Sequence, residues 1–138
     1  GLKARLAQSG FGNLKGETEI SPSKTEIIRR ITVGMFGYYA GPGVYVVDEL
    51  ALGDPLLARL PAERVVDWRI GHFQRALPDG YLETLESGEN RLSDSKLAQF
   101  YDQLSLITRG ILWDPQRWLA IWKMNTGQFD YLLKGYQP

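Results

Sequence analysis

The sequence predicts an α/β domain in which C-terminal helices cover a small β-sheet. Two short runs, at 31–39 and 44–47, are rich in β-branched and aromatic residues and apolar on both faces, which is typical of buried strands. Two later segments, near 94–108 and 115–133, repeat their apolar residues at helical spacing. Because buried strands and amphipathic helices each need an apolar surface to contact, we expect the helices to pack on the sheet.

The rest of the chain divides into a lead-in and one domain. Glycines interrupt any hydrophobic period in residues 1–24, so we expect a loosely ordered lead-in there and a single α/β domain over 25–138. The mixed residues at 25–30 predict a short helix. The segment 65–69, Val-Val-Asp-Trp-Arg, is a candidate for a third strand.

Helix starts are marked by capping residues and prolines. The Asp-Pro pairs at 54–55 and 114–115 each combine a side chain that caps a helix with a proline suited to its first turn. Ser93 or Asp94 caps the helix between these two, and a shorter helix is predicted at 81–85. We therefore expect Asp54 to act as an N-cap, whatever else it does.

The composition excludes several classes of function. Lys and Arg total 16, as do Asp and Glu, so the net charge is zero and nucleic acid is not expected as a partner. The chain has no cysteine, which excludes disulfides, thiolate nucleophiles and Cys-type zinc sites. A single histidine excludes a multi-His metal centre, although it could join Asp residues in one. We expect no metal and no cofactor in this domain.

Five polar residues are candidates for a site at one end of the sheet. Asp48 ends a predicted buried strand, Asp54 follows it, and Arg69, His72 and Arg75 lie in a later segment dense in hydrogen-bond donors. One interpretation is a ligand site facing a sugar or phosphate, because ligands bind where strands of an α/β sheet end. The other is a structural network that ties loops together. No catalytic residue is predicted.

Aromatic residues offer a second kind of surface. Trp118, Trp122 and Phe129 recur on one face of the last helical segment, and such a stripe is more often core than binding site. Trp113 and Tyr81 are candidates for stacking on a sugar or docking a partner. For Trp113, in a loop beside Ile111 and Leu112, the alternative is a buried staple between two helices.

A family resemblance involves four segments, 33–42, 46–61, 68–73 and 78–81. They resemble the soluble C-terminal region of bacterial multi-pass glycosyltransferases of the GT-C type, including arabinofuranosyltransferase-like members. The most specific part is Asp-Pro-Leu-Leu-Ala-Arg-Leu-Pro at 54–61, followed by a Gly-His pair at 71–72. The resemblance extends over about 31–135. The chain begins at Gly1 without a methionine, so we expect a piece of a longer protein.

The resemblance implies a domain on the extracytoplasmic, periplasmic face of a bacterial inner membrane. Its partner would be the membrane-embedded part of the same polypeptide, where the family has its catalytic acidic residues, and a glycan acceptor. The parent would be a glycosyltransferase using a polyprenyl-phosphate sugar, while this domain helps to shape the acceptor or donor site without catalysing transfer. The alternatives are a stand-alone carbohydrate-binding or protein-interaction module, and a small hydrolase using Asp48 with His72.

Overall fold

The computed structural model describes residues 25–31, 33–63 and 71–137. Within these ranges the elements occur in the following order: strand β1 Glu26–Arg30, helix α1 Gly34–Ala40, strand β2 Val44–Asp48, a 3-10 helix Leu57–Arg59, then helices α2 Tyr81–Ser87, α3 Ser95–Arg109, α4 Pro115–Asn125 and α5 Asp130–Leu133. The predicted α/β class, a small sheet with C-terminal helices, is confirmed, and Val47 of β2 lies in one buried core with Phe100 and Leu104 of α3.

The two strands form a parallel pair. Glu26 lies opposite Val44 and Arg30 lies opposite Asp48, so the two strands pair along their whole length without a bulge. Parallel strands cannot be joined by a tight turn, because the chain must cross back to the starting end of the first strand. Helix α1 lies in that crossover. An ion pair of 2.7 Å between Arg29 Nε and Glu49 Oε1 joins the end of β1 to the turn after β2.

The first predicted strand, at 31–39, is wrong: the structure has helix α1 there, and the strand is at 26–30, where a helix was predicted. The adjacent pair Ile27 and Ile28 suits a strand, whereas Gly34 and Gly37 would leave the interior of a strand without side chains to pack. The predicted strand at 44–47 is confirmed as β2. The lead-in 1–24 and the candidate strand 65–69 lie outside the described residues.

The core is centred on helices α2 and α3 and on the segment that follows β2. Its buried apolar side chains are Val47, Ala51, Leu56, Leu57, Leu60, Tyr81, Leu85, Leu92, Leu97, Phe100, Tyr101, Leu104 and Leu132. Fully burying one side chain of the Leu or Phe type stabilises a fold by roughly 1.5–3 kcal/mol. Since the segment 51–60 supplies several of these side chains, its backbone must be held in one conformation.

Helices α3 and α4 begin where the sequence predicts. Asp94 Oδ1 accepts a hydrogen bond of 2.7 Å from the Leu97 amide, and Asp114 Oδ1 accepts one of 2.8 Å from the Gln116 amide. Helix α3 buries the predicted side chains from Leu97 to Leu104, and α4 and α5 pack against it.

Candidate functional site

Asp48 lies at the end of β2 with 1% of its surface exposed. Its Oδ2 accepts hydrogen bonds of 2.8 Å from the amides of Leu52 and Gly53, and its Oδ1 accepts one of 3.1 Å from the Leu50 amide. Three backbone donors thus converge on one carboxylate, and they fix the turn that follows β2. Ala51 adopts the left-handed conformation in this turn, with a φ of 61°. The local role of Asp48 is to hold that turn.

Asp54 is also buried, with 1% of its surface exposed. Its Oδ1 accepts hydrogen bonds of 2.9 Å from the amides of Leu56 and Leu57, so the predicted capping role is present. The Tyr81 hydroxyl donates to the same carboxylate, 3.0 Å from each oxygen. Burial raises the pKa of the Asp54 carboxyl; the Leu57 amide, the Tyr81 hydroxyl and the Leu56 amide offset part of the rise, and the Asp48 charge adds to it.

Tyr81 is a core residue whose surface is 0% exposed. Its ring contacts Tyr101 edge to face, with 5.9 Å between the ring centroids. Burial and the Asp54 charge raise the pKa of the Tyr81 phenol far above its ordinary value. The hydroxyl therefore stays protonated and acts as a hydrogen-bond donor to Asp54. The expectation that Tyr81 stacks on a sugar is not supported, because the ring has no accessible face.

Two further tyrosines, absent from the sequence-predicted site, complete the surroundings of Asp54. The hydroxyls of Tyr45 and Tyr101 are buried and have no hydrogen-bond partner in the structure described for this chain. Burial and the Asp54 charge raise the pKa of Tyr45, while the nearby Tyr81 hydroxyl and then the Arg109 guanidinium, 5.8 Å from the Tyr45 ring centroid, lower it. Tyr45 precedes Asp48 by three positions in β2, but no motif in the sequence pairs it with Asp54.

Arg75 connects three loops through carbonyl oxygens. Its Nε donates to the Leu60 carbonyl at 2.7 Å and its Nη1 to the Phe73 carbonyl at 2.6 Å. Its backbone amide donates to the Glu49 carbonyl at 3.0 Å. Arg75 therefore lies next to the turn that Asp48 holds.

Two members of the predicted cluster remain, His72 and Arg69. His72 is exposed, three residues before Arg75, and Arg69 lies outside the described residues. In the described ranges, no three acidic, His or Cys side chains come together in a way that would hold a metal ion. The two carboxylates face backbone amides and a phenol. Their arrangement suits the fixing of loops, and a role for these residues toward a ligand stays a prediction.

A second region is exposed and apolar. We call it the tryptophan surface, and it consists of Ile111, Leu112, Trp113, Trp118, Leu119 and Trp122. The exposed fraction is 78% for Trp113, 49% for Trp118 and 57% for Trp122. The interpretation of Trp118 and Trp122 as core residues is therefore wrong. Helix α4 turns Ala120 inward instead, and a small side chain there allows α4 to lie close to α3.

The loop of the tryptophan surface is held in place by its own hydrogen bonds. Arg117 Nε donates to the Ile107 carbonyl at 2.9 Å, which joins α4 to the last turn of α3, and its Nη1 reaches the Leu112 carbonyl at 3.4 Å. The Asp114 amide donates to the Ile111 carbonyl at 3.1 Å, which closes a turn around Leu112 and Trp113. Trp113 is thus presented to solvent on an ordered turn and is not a buried staple.

Comparison with protein-family models, with curated proteins and with solved structures finds no match to this chain. In the part of the chain that the structure describes, no helix combines the length and the apolar character needed to cross a bilayer.

Proposed function

We propose that this chain is a non-catalytic docking domain of a multi-pass, glycosyltransferase-like membrane protein. In this proposal the domain lies on the extracytoplasmic side, with its tryptophan surface toward the membrane-embedded part of the same polypeptide. There it helps to shape the site for a glycan acceptor or a polyprenyl-phosphate sugar donor. The observation that supports this most directly is the exposure of Trp113, Trp118 and Trp122 on one ordered loop and helix.

Exposed tryptophans are unusual because each leaves a large apolar ring in water. Isolated exposed apolar residues need no explanation, but six within twelve positions of one loop and helix do. Tryptophan is also the residue most enriched among those that dominate binding energy at interfaces. A surface of this composition is typical of a region that is covered in the assembled protein.

The buried carboxylates support the non-catalytic part of the proposal. Glycoside hydrolysis uses two carboxyl groups on either side of a sugar, about 5–10 Å apart. Asp48 and Asp54 are both buried beneath the backbone amides and the phenol that they bind, so neither presents an oxygen to a substrate. The sequence resemblance agrees, since it places the catalytic acidic residues in the membrane-embedded part.

The test uses the full-length membrane protein and its sugar transfer from a polyprenyl-phosphate donor. Trp113→Ser combined with Trp122→Ser should lower transfer at least about tenfold, since a single interface tryptophan contributes about 2 kcal/mol or more. Tyr38→Ser is the matched control, because Tyr38 is an equally exposed aromatic residue on α1. Unchanged transfer in the double variant, with its fold intact, would refute the proposal.

A stand-alone carbohydrate-binding module is the second candidate. The observation in its favour is again Trp113, because an exposed indole ring on an ordered turn is suited to stacking on a pyranose or furanose ring. Titration of the purified chain with soluble glycans, followed by NMR, distinguishes the two. Shifts centred on Trp113 that saturate with one glycan class would favour the binding module.

A further inference from the structure

Two phenol hydroxyls in the core are buried without a hydrogen-bond partner in the described part of the chain. They belong to Tyr45 on β2 and Tyr101 on α3, and Tyr101 as a whole is 6% exposed. A buried hydroxyl that bonds to nothing costs free energy, because it has given up its bonds to water. Native folds satisfy such groups with another protein group or with an internal water, of which there is about one per 27 residues. The two hydroxyls therefore mark a place in the core that calls for a small polar ligand.

Both hydroxyls belong to the surroundings of Asp54. The Tyr101 ring contacts the Tyr81 ring edge to face, and the Tyr81 hydroxyl lies 3.0 Å from each Asp54 oxygen. Burial raises the pKa of Tyr45, and the Asp54 charge raises it further. Burial also raises the pKa of Tyr101, which the Arg109 guanidinium lowers and the Asp54 charge raises. Because the effect of a charge falls off with distance, both unpaired phenols lie near the same carboxylate.

Asp54 has an oxygen that can take another donor. Its Oδ1 accepts from two amides and from the Tyr81 hydroxyl, whereas within the described residues its Oδ2 accepts from the Tyr81 hydroxyl alone. A carboxylate oxygen can accept more than one hydrogen bond, but neither Tyr45 nor Tyr101 reaches Oδ2 directly. A water molecule can accept from a hydroxyl and donate to a carboxylate. A neutral ligand also suits the charges, since Asp54 disfavours an anion and the Arg109 guanidinium, 5.8 Å from the Tyr45 ring centroid, disfavours a cation.

We propose that a buried water molecule is bound between the Tyr45 and Tyr101 hydroxyls and the Asp54 carboxylate. The water accepts a hydrogen bond from each hydroxyl and donates one to Asp54 Oδ2, which gives it about the three bonds that are usual for an internal water. It joins β2, α3 and the segment after β2 at one point in the core. This site goes beyond the proposed docking function and does not depend on it.

The test is oxygen-17 magnetic relaxation dispersion of water in solutions of the 138-residue chain. The amplitude of the dispersion counts long-lived internal waters, and oxygen-17 does not report on hydroxyl protons. Tyr45→Phe combined with Tyr101→Phe keeps both rings and removes both donors, so the amplitude should fall by the contribution of one water. Tyr38→Phe is the matched control, because Tyr38 is 82% exposed, and it should leave the amplitude unchanged.

Unfolding free energy is a poor readout here, since an immobilised water loses entropy and the loss of one phenol partner changes stability little. Thermal unfolding serves to show that each variant is folded. Equal amplitudes in the double variant and the unmodified chain would overturn the inference. If the double variant does not fold, a crystal structure of the unmodified chain decides. A water about 2.7–2.8 Å from both hydroxyl oxygens would support the site. Density without a water there, or a direct hydrogen bond between the Tyr45 and Tyr81 hydroxyls in its place, would overturn it.

Discussion

Asp54 shows how one buried residue depends on donors from different parts of the chain. Two of its donors are amides within three residues, and the third is the Tyr81 hydroxyl, 27 positions away. The Asp-Pro motif predicts the local part, because capping needs only the sequence next to the cap. The tyrosine partner depends on how α2 packs against the segment after β2, which no local pattern encodes.

A pair of matched variants tests the Tyr81 hydroxyl. Tyr81→Phe removes a donor from a buried carboxylate and should cost about 1–3 kcal/mol of unfolding free energy. Tyr101→Phe changes a neighbouring core ring in the same way, but its hydroxyl has no partner within the described residues, so the change should cost little or stabilise. Urea unfolding measures both. Equal costs would contradict the assigned role of Tyr81.

The raised pKa of Asp54 predicts a pH dependence of stability. Because burial raises the pKa in the folded state above that in the unfolded chain, folding favours the protonated form. The contribution of this group is thus fully present below the unfolded pKa, near pH 4, and is lost as pH rises through the folded pKa. The unmodified chain should lose stability relative to Asp54→Asn as pH increases through this window.

Urea unfolding at a series of pH values measures that difference. Tyr81→Phe should move the window to higher pH, since the hydroxyl holds the pKa of Asp54 down. If the unmodified chain instead gains unfolding free energy relative to Asp54→Asn as pH rises, the folded state favours the charged carboxylate.

At the scale of elements, helices with caps and buried stripes are predicted well, and the first strand is not. Helix α3 has both a capping Asp94 and apolar residues at helical spacing, so two signals agree. In 31–39, β-propensity is contradicted by Gly34 and Gly37, and the parallel pairing of β1 with β2 requires a crossover there. The sequence does not show which face of α4 is buried. Its tryptophans recur at helical spacing, as buried residues would, but the buried residue is Ala120.

Helix α1 offers a test of this crossover. None of its residues, 34–40, is buried, and the space around a side chain added at Gly37 is open. Gly37→Ala should therefore stabilise by up to about 1 kcal/mol, because alanine loses less backbone entropy in a helix. Gly80→Ala is the contrast, since Gly80 has a φ of +82° and an added side chain would overlap the Arg91 carbonyl.

For Gly80→Ala we expect a clear loss of stability in urea unfolding. That loss has two causes, the strain of a left-handed backbone and the overlap with the Arg91 carbonyl, and Gly88→Ala separates them. Gly88 has a φ of +75° and open space around it, so its replacement should cost only the strain of the left-handed conformation, roughly 1–2 kcal/mol. A cost for Gly80→Ala no larger than that for Gly88→Ala would show that the Arg91 backbone moves aside.

At the scale of the whole molecule, the described residues divide into a buried core and an exposed apolar surface. The buried side chains come from α2, α3 and the segment after β2, whereas α4 presents its tryptophans outward. Under the proposed function, the core serves as a scaffold for this surface. The sequence leaves Trp113 either exposed for docking or buried as a staple, and it favours the core for Trp118 and Trp122.

The scaffold interpretation predicts the enzymology of the purified chain. It should neither hydrolyse glycosides nor transfer sugar from a polyprenyl-phosphate donor, because Asp48 and Asp54 are enclosed by their donors. Asp48→Asn should lower stability, since an amide in place of the carboxylate weakens its hold on the Leu52 and Gly53 amides. Turnover by the purified chain that Asp48→Asn abolishes would contradict this assignment.

The short reach of the Asp48 and Asp54 side chains has a consequence for the order of folding. Each carboxylate finds its backbone donors within five residues along the chain, whereas the pairing of β1 with β2 joins residues 18 positions apart. Closing a short loop costs less chain entropy than closing a long one. We therefore expect the segment from Asp48 to Leu57 to be structured already in the folding transition state. Strand β1 is expected to pair later, with a β2 whose end is already in place.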